Sequence, residues 1–425
     1  MNKRQFRQYM LKGRGCCVQA VSADPERWRS EVLWACGHEI AFDAQCEGSR
    51  AWYVYRMIEC YEDKTPFLKA LISSLDKARS RAGWKTQYLG EILYHFLLDG
   101  IKEAEGALWQ HYEALYAILR KQKRHPRRYF FERDDFSALC VNLGQRREAM
   151  VRIAEDIGRL YRENPIYDGW YFDWLYAQNG ERILKTLEKK AKTSENIAAY
   201  LRESQRVEEE ELRQRQERRP SAAVVGSRLK KGTREEQLAY MEKYLGERDP
   251  EARTQALRVF TRCPYPGDIM PVVADMESED PNLRFVAGLV LENLRSPQVR
   301  QLALERLESD PETWFPLLVR NYEERDRDFV TEYVKSMKTD HACTTDWHGI
   351  QLDVLKMLDH GLKAPGELLL HIYETTYCSN CRCEALRQLG KRRLLTDRML
   401  EEALYDSQAD VRTYAKRLLR SRSRE

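Results

Sequence analysis

The pattern Asp-Pro-x-x-Arg-x-x-Ala occurs at 249–256 and again at 280–287. A weaker copy is Asp310-Pro311-x-x-Trp314-x-x-Leu317. Later copies keep the second half, as Arg382-x-x-Ala385 and Arg412-x-x-Ala415, and a degenerate copy surrounds Gln351 and Val354. The equivalent positions are 253, 284, 314, 351, 382 and 412, with steps of 31, 30, 37, 31 and 30. Self-similarity at a period in the thirties implies stacked supersecondary units, each too small to bury its apolar face alone. The residue types fit a helix start. Asp caps the free amides and Pro occupies the first turn. Ala lets a second helix come close. The apolar residue before Arg (Ala252, Leu283, Val299, Cys381, Val411) faces a neighbouring unit. Ser296-Pro297-x-x-Arg300-x-x-Ala303 falls between two copies and reads as the second helix of a pair.

Elsewhere helical spacing dominates and strand signals are scarce. Tyr88, Ile92, Leu93, Phe96 and Leu97 share one face, as do Leu108, Tyr112, Leu115, Tyr116 and Leu119. Gly83, Gly100, Gly144, Asn164-Pro165 and Gly180 fall between periodic stretches as stop signals. Residues 181–219 read as one long helix or two in series, ending in a nearly all-charged stretch held by i,i+4 pairs. Pro220 opens a small or flexible run to Gly232. The chain therefore divides into a helical N-terminal region (1–219), a linker (220–232), a repeat region (233–421) and a basic tail (422–425).

The Asp-Pro-x-(apolar)-Arg-x-x-Ala-(apolar) pattern resembles HEAT repeats of the short bacterial kind. The resemblance covers about 233–421. It implies an all-α protein, with antiparallel helix pairs stacked as a curved, armadillo-like α-solenoid. It also implies a ladder in which the repeat Asp and Arg join neighbouring units. Only Asp249/Arg253 and Asp280/Arg284 keep both partners. Such stacks present a long concave surface suited to an extended partner. The expectation is a non-catalytic scaffold or adaptor that binds a protein.

Composition removes other classes. Of 425 residues, 43% are hydrophobic and 32% charged, with a mean hydropathy of −0.68. No apolar run approaches the ~20 residues that span a bilayer, so no membrane role is expected. Net charge is +4. Residues 1–200 carry 33 basic and 27 acidic side chains, whereas 251–350 carry 12 and 18. Neither value matches a dedicated nucleic-acid domain. The first residues lack the apolar core of a secretory signal. With 11 irregularly spaced cysteines, this gives the expectation of reduced thiols in a cytoplasm.

No catalytic residue, cofactor or metal is expected. Cys378, Cys381 and Cys383, with His371 nearby, include a C-x-x-C pair that could supply two of the four ligands zinc takes. Yet the repeat register accounts for Cys381 as a small buried apolar group, Cys378 holds the capping position, and no second C-x-x-C exists. Glu91, His95 and Asp99 share a helix face that reads as solvated, and Cys36-Gly-His38-Glu39 is short and isolated. Deoxyhypusine hydroxylases resemble HEAT stacks with four His-Glu pairs holding iron. This chain has one such pair, 38–39.

Two segments are candidates for partner binding. Residues 120–133 hold seven basic side chains, among them Arg120, Lys123, Arg124, Arg127 and Arg128, beside three aromatics. Cations there would suit an anionic partner. Trp170-Tyr171-Phe172-Asp173-Trp174-Leu175-Tyr176 packs five aromatics into seven residues, more than one helix face buries. Trp170, Tyr171 and Trp174 are the candidate anchors, since aromatics dominate interface hot spots. The alternative function is nucleic-acid binding, because bacterial alkylpurine DNA glycosylases have a similar HEAT-like solenoid with a basic concavity. Their motif does not match here position by position.

Overall fold

The structure is a computed structural model. It describes all residues except 49, 79–82, 122–129, 164–182, 218–220, 340–343, 361–364 and 424–425. The protein is all-α: among the described residues there is no strand. No described helix is long and apolar enough to cross a membrane. No disulfide joins the ten described cysteines.

The chain groups into two compact units. The first comprises Met1–Arg215, Cys378–Asn380 and Thr396–Glu425, and the second Gln216–Tyr377 and Cys381–Leu395. The C-terminal copy of the repeat, at Arg412, thus belongs to the first unit.

In the first unit, the periodic apolar faces become one core running from Phe6 to Tyr200. Helix Trp84–Leu98 buries Tyr88, Ile92, Leu93 and Phe96. Helix Lys102–Lys121 buries Leu108, Tyr112, Leu115 and Leu119, while Tyr116 stays half-buried. Phe6 stacks on Trp28 with centroids 4.4 Å apart. Gly13 ends helix Lys3–Lys12 in the left-handed region (φ 71°), where a side chain would be strained. Gly15 serves a different need. A Cβ there would lie 1.8 Å from the Glu402 carbonyl oxygen, so only glycine admits helix Asp397–Ala403 of the same unit. The stretch 181–219 holds two helices, 183–191 and Glu195–Glu217. Ser194 separates them and accepts the Ile197 amide at 3.1 Å.

In the second unit, consecutive helices pack on near neighbours. Arg234–Gly246 lies on Pro250–Leu257, and Pro250–Leu257 on Pro281–Glu292. Pro281–Glu292 and Pro297–Arg306 pack on the 3-10 turn Phe315–Leu318. Arg327–Ser336 packs on Gly366–Thr375. The repeat residues take the places their chemistry predicts. Asp249 accepts the Ala252 amide at 2.8 Å, and Asp280 accepts those of Asn282 and Leu283 at 2.9 Å. Ala256, Ala287, Ala303, Ala385 and Ala415 are all buried. So are Leu317 and Val354 in the degenerate copies. Of the residues before Arg, Leu283, Val299, Cys381 and Val411 are buried and Ala252 is half-buried.

The stretch read as a linker contains a helix, Ala222–Leu229, capped by Ser221. Its Leu229 packs with Val259 and Cys263. The small residues there allow close packing as well as a flexible chain.

Candidate functional site

The repeat arginine does a different job from the one the resemblance implies. Arg253 Nη1 donates to the Glu247 carbonyl at 3.2 Å, six residues back. Arg284 Nη1 donates to the Ser278 carbonyl at 3.2 Å, and Arg412 Nη1 to the Asp406 carbonyl at 2.8 Å, again six back. The arginine thus closes over the turn that precedes its own helix. A cation beside the free carbonyls of that turn is favoured electrostatically, as at any helix C-terminus. Asp249 and Asp280 act as caps and do not pair with Arg253 or Arg284, so the expected Asp–Arg ladder is corrected on this point.

Carboxylates from other helices take over the joining role. Arg253 Nε donates to both oxygens of Asp275, at 2.9 and 2.8 Å. Its Nη2 donates to Tyr244 Oη at 3.2 Å, and Tyr244 Oη donates to Asp275 Oδ2. Tyr244 is fully buried and Asp275 is 8% exposed. Burial, then the Asp275 hydrogen bond, pushes the Tyr244 hydroxyl far above its ordinary range. Arg300 pairs with Asp326 in the same way.

The first unit carries a second regular arrangement. Arg146 pairs with Glu105 at 2.6 Å, Arg152 with Glu113 at 2.5 Å, and Arg120 with Glu163 at 2.8 Å. These partners are 41, 39 and 43 residues apart. Both partners advance together along Lys102–Lys121 and Arg147–Glu163, as they do only when two helices run in the same sense. Thr86 and Asp135 link Trp84–Leu98 to Phe130–Leu143 at 2.6 Å, and Asn142 donates to the Gln87 carbonyl at 3.3 Å. That pair also advances in one sense. Trp84–Leu98 and Lys102–Lys121 therefore each find a same-sense partner two helices further on.

Among the candidate binding residues, Arg120 is half-committed. Two hydrogen bonds of 2.9 and 3.0 Å tie it to Glu163, and its guanidinium lies 5.9 Å from the Tyr116 ring. Lys123, Arg124, Arg127, Arg128, Trp170, Tyr171 and Trp174 lie outside the described residues. The described surface offers other aromatics that the sequence did not single out. Three half-buried tryptophans of the first unit each carry a guanidinium. Arg7 lies 4.5 Å from Trp34, Arg152 4.1 Å from Trp109, and Arg412 3.6 Å from Trp52. Arg–aromatic stacks of this kind recur at recognition surfaces.

The metal-type side chains regroup. His371, the histidine nearest the cysteines in sequence, meets the Trp347 ring edge-on at 5.5 Å. His348, one residue past Trp347, brings a ring nitrogen within 4.8 Å of Cys381 Sγ. Both belong to the second unit. Cys378, the other cysteine of the C-x-x-C pattern, stands three residues before Cys381 in the sequence. Imidazole and thiolate are donors that zinc takes. His348 lies thirty residues from the pattern, so only folding could reveal it.

The remaining candidates are absorbed locally. His95 stacks on Tyr55 at 4.9 Å, and burial lowers its pKa. Asp99 accepts from Tyr55 Oη and from Lys64 Nζ at 2.9 Å, and these two bonds hold its carboxyl below the ordinary range. The face read as solvated is thus half-buried at His95. His38 stacks on Trp34 at 4.4 Å, with Nδ1 2.7 Å from the Trp34 carbonyl. Glu39 accepts the Ala41 amide at 3.0 Å, and desolvation raises its carboxyl to about 7.

These features define an all-α chain of capped helices that pack on sequence neighbours and are tied by arginine. No protein-family model matches it, and no curated protein or solved structure does.

Proposed function

We propose that this protein is a non-catalytic scaffold built from HEAT-like helix pairs, offering an extended concave surface to a protein partner. The observation that carries the reading is the same-sense pairing of alternate helices in the first unit. Lys102–Lys121 pairs in the same sense with Arg147–Glu163, and Trp84–Leu98 with Phe130–Leu143, as alternate helices of stacked hairpins do. The arginine closures six residues back, at 253, 284 and 412, add a second repeated device. A stack of this kind spends its residues on packing and leaves one long face for recognition. Tryptophans covered by arginine supply the aromatic and guanidinium groups that interface hot spots favour.

The test is affinity purification of the full chain from its own cells, with and without nuclease, followed by cross-linking and mass spectrometry. The scaffold reading expects one protein recovered stoichiometrically in both arms, cross-linked at several successive helices. Loss of all binding after nuclease would overturn it in favour of the nucleic-acid alternative. That alternative also requires retention on heparin that weakens steeply with salt.

A further inference from the structure

The second unit contains a cavity of about 190 Å³ lined by Arg295, Val319, Arg320, Tyr322 and His360. No carboxylate is among the described residues that line it. The surroundings are acidic, since 251–350 carries 18 acidic and 12 basic side chains. Several of the nearby acids are committed elsewhere, whereas Asp328, whose charge acts on the Tyr322 hydroxyl, has no partner among the described residues. Glu292 and Asp353 hold Lys356 at 2.8 and 3.1 Å. Asp326 holds Arg300, Glu323 holds Arg325 at 2.6 Å, and Glu324 lies 3.7 Å from Arg327. Arg295 and Arg320 have no ion-pair or hydrogen-bond partner among the described residues. The Tyr322 hydroxyl is buried and makes no hydrogen bond. Two arginines, one histidine and one tyrosine therefore line a space that no described residue fills.

The walls are fixed before any ligand arrives. Asn321 accepts the Ser296 amide at 2.8 Å and donates to the carbonyls of Leu294 and Leu317 at 2.9 and 2.8 Å. It thereby joins the segment bearing Arg295 to the segment bearing Arg320 and Tyr322. Lys356 bridges helix Thr344–Asp359, which His360 follows, to Glu292 of helix Pro281–Glu292. An anchored backbone leaves only side-chain freedom to be lost on binding. A planar guanidinium presents five N–H donors and no acceptor, and it suits the oxygens of a phosphate in a bidentate grip. At about 30 Å³ per water, the cavity holds roughly six waters. That is room for one tetrahedral oxyanion and its solvent, and too little to enclose a nucleotide.

From this we infer a binding site for a phosphate group, gripped by Arg295 and Arg320, with Tyr322 Oη and His360 as further donors. The group would be either free phosphate or the exposed end of a phosphomonoester. The site is independent of the scaffold reading and requires no partner protein.

The test titrates the full-length protein with inorganic phosphate, and separately with glycerol phosphate, at constant ionic strength. Binding is read by calorimetry and by ³¹P line broadening. Saturable binding of one equivalent is expected, at least tenfold weaker in Arg295→Gln and in Arg320→Gln and lost in the double variant. Both arginines are exposed, so the melting temperature in phosphate-free buffer should be unchanged. Tighter binding of glycerol phosphate assigns the site to a phosphomonoester, and equal or weaker binding assigns it to the free anion. Absence of saturable binding of either probe below about 10 mM overturns the inference. So does binding that the double variant leaves intact.

Discussion

Replacing Arg253 with Ala should loosen the second unit more than its surface position suggests. The side chain is 18% exposed, yet it satisfies both oxygens of Asp275, the hydroxyl of Tyr244 and the carbonyls of Tyr244 and Glu247. Without it, Asp275 keeps its charge in a place where water reaches poorly. Removing one member of a buried ion pair costs about 3–5 kcal/mol. Partial exposure puts Arg253 at the lower end, about 3 kcal/mol, or roughly a hundredfold in a local opening constant. Tryptophan fluorescence would report this poorly, because seven of the nine tryptophans precede residue 175. Hydrogen exchange by mass spectrometry resolves it. Peptides within 234–292 should exchange about a hundredfold faster, while those of 84–163 stay at the wild-type rate. Arg253→Lys keeps the charge but loses the fork and should fall between. In the double variant Arg253→Ala/Asp275→Asn the stranded charge is gone, so part of the loss should return, on the scale of 1–3 kcal/mol for coupled neighbours. Exchange within threefold of wild type in Arg253→Ala would refute the reasoning. So would a double variant that loses the full sum of both single changes.

Glu39 has a carboxyl raised to about 7 by desolvation. The folded state therefore binds its proton more tightly than the unfolded chain does, and this favours folding at low pH. The benefit is lost as pH rises from about 4.5 toward 7. Glu39→Gln should stabilise the protein by about 1–3 kcal/mol at pH 8 and by little at pH 4.5, as denaturation curves at both pH values would show. Thr233 and Glu236 form a reciprocal cap on helix Arg234–Gly246. Thr233→Ala should cost about 1 kcal/mol, read as faster amide exchange in that helix's first turn. Cys46 is exposed, whereas Cys17, Cys36 and Cys140 are fully buried. Iodoacetamide on the native protein should modify Cys46 before Cys17, Cys36 and Cys140, and faster labelling of Cys36 would contradict the packing described.

The second unit was the more legible because its repeat is written in residue types with one job each. Asp caps and Pro starts a helix, and Ala marks a close crossing; Ala256, Ala287, Ala303 and Ala385 are all buried. The first unit pairs alternate helices in one sense without a repeat in its letters. Glu105–Arg146, Glu113–Arg152 and Thr86–Asp135 share an orientation, yet they use different chemistry at different offsets. No motif search finds such a series. The run after Pro220 misled for a related reason. Ser221-Ala-Ala-Val-Val is as good a capped helix start as it is a linker, and only the burial of Leu229 decides between them. His348 was invisible because metal-type donors are recognised by spacing, and its spacing is spatial. The phosphate cavity was hidden too, since Arg295 and Arg320 stand out only once the fold shows which acids have been taken by other cations.

Because helices Asp397–Ala403 and Ala409–Arg422 belong to the first unit, synthesis must pass residue 412 before that unit can close. Arg14 holds Glu402 at 2.8 Å, the Ser407 amide donates to the Gly13 carbonyl at 2.9 Å, and Arg412 covers Trp52. Until the ribosome has passed residue 412, the groove beside Gly13 and Gly15 stays open to water and to chaperones. A fragment ending at 215 would keep that seam permanently exposed. It should be rescued by supplying the last thirty residues as a separate peptide.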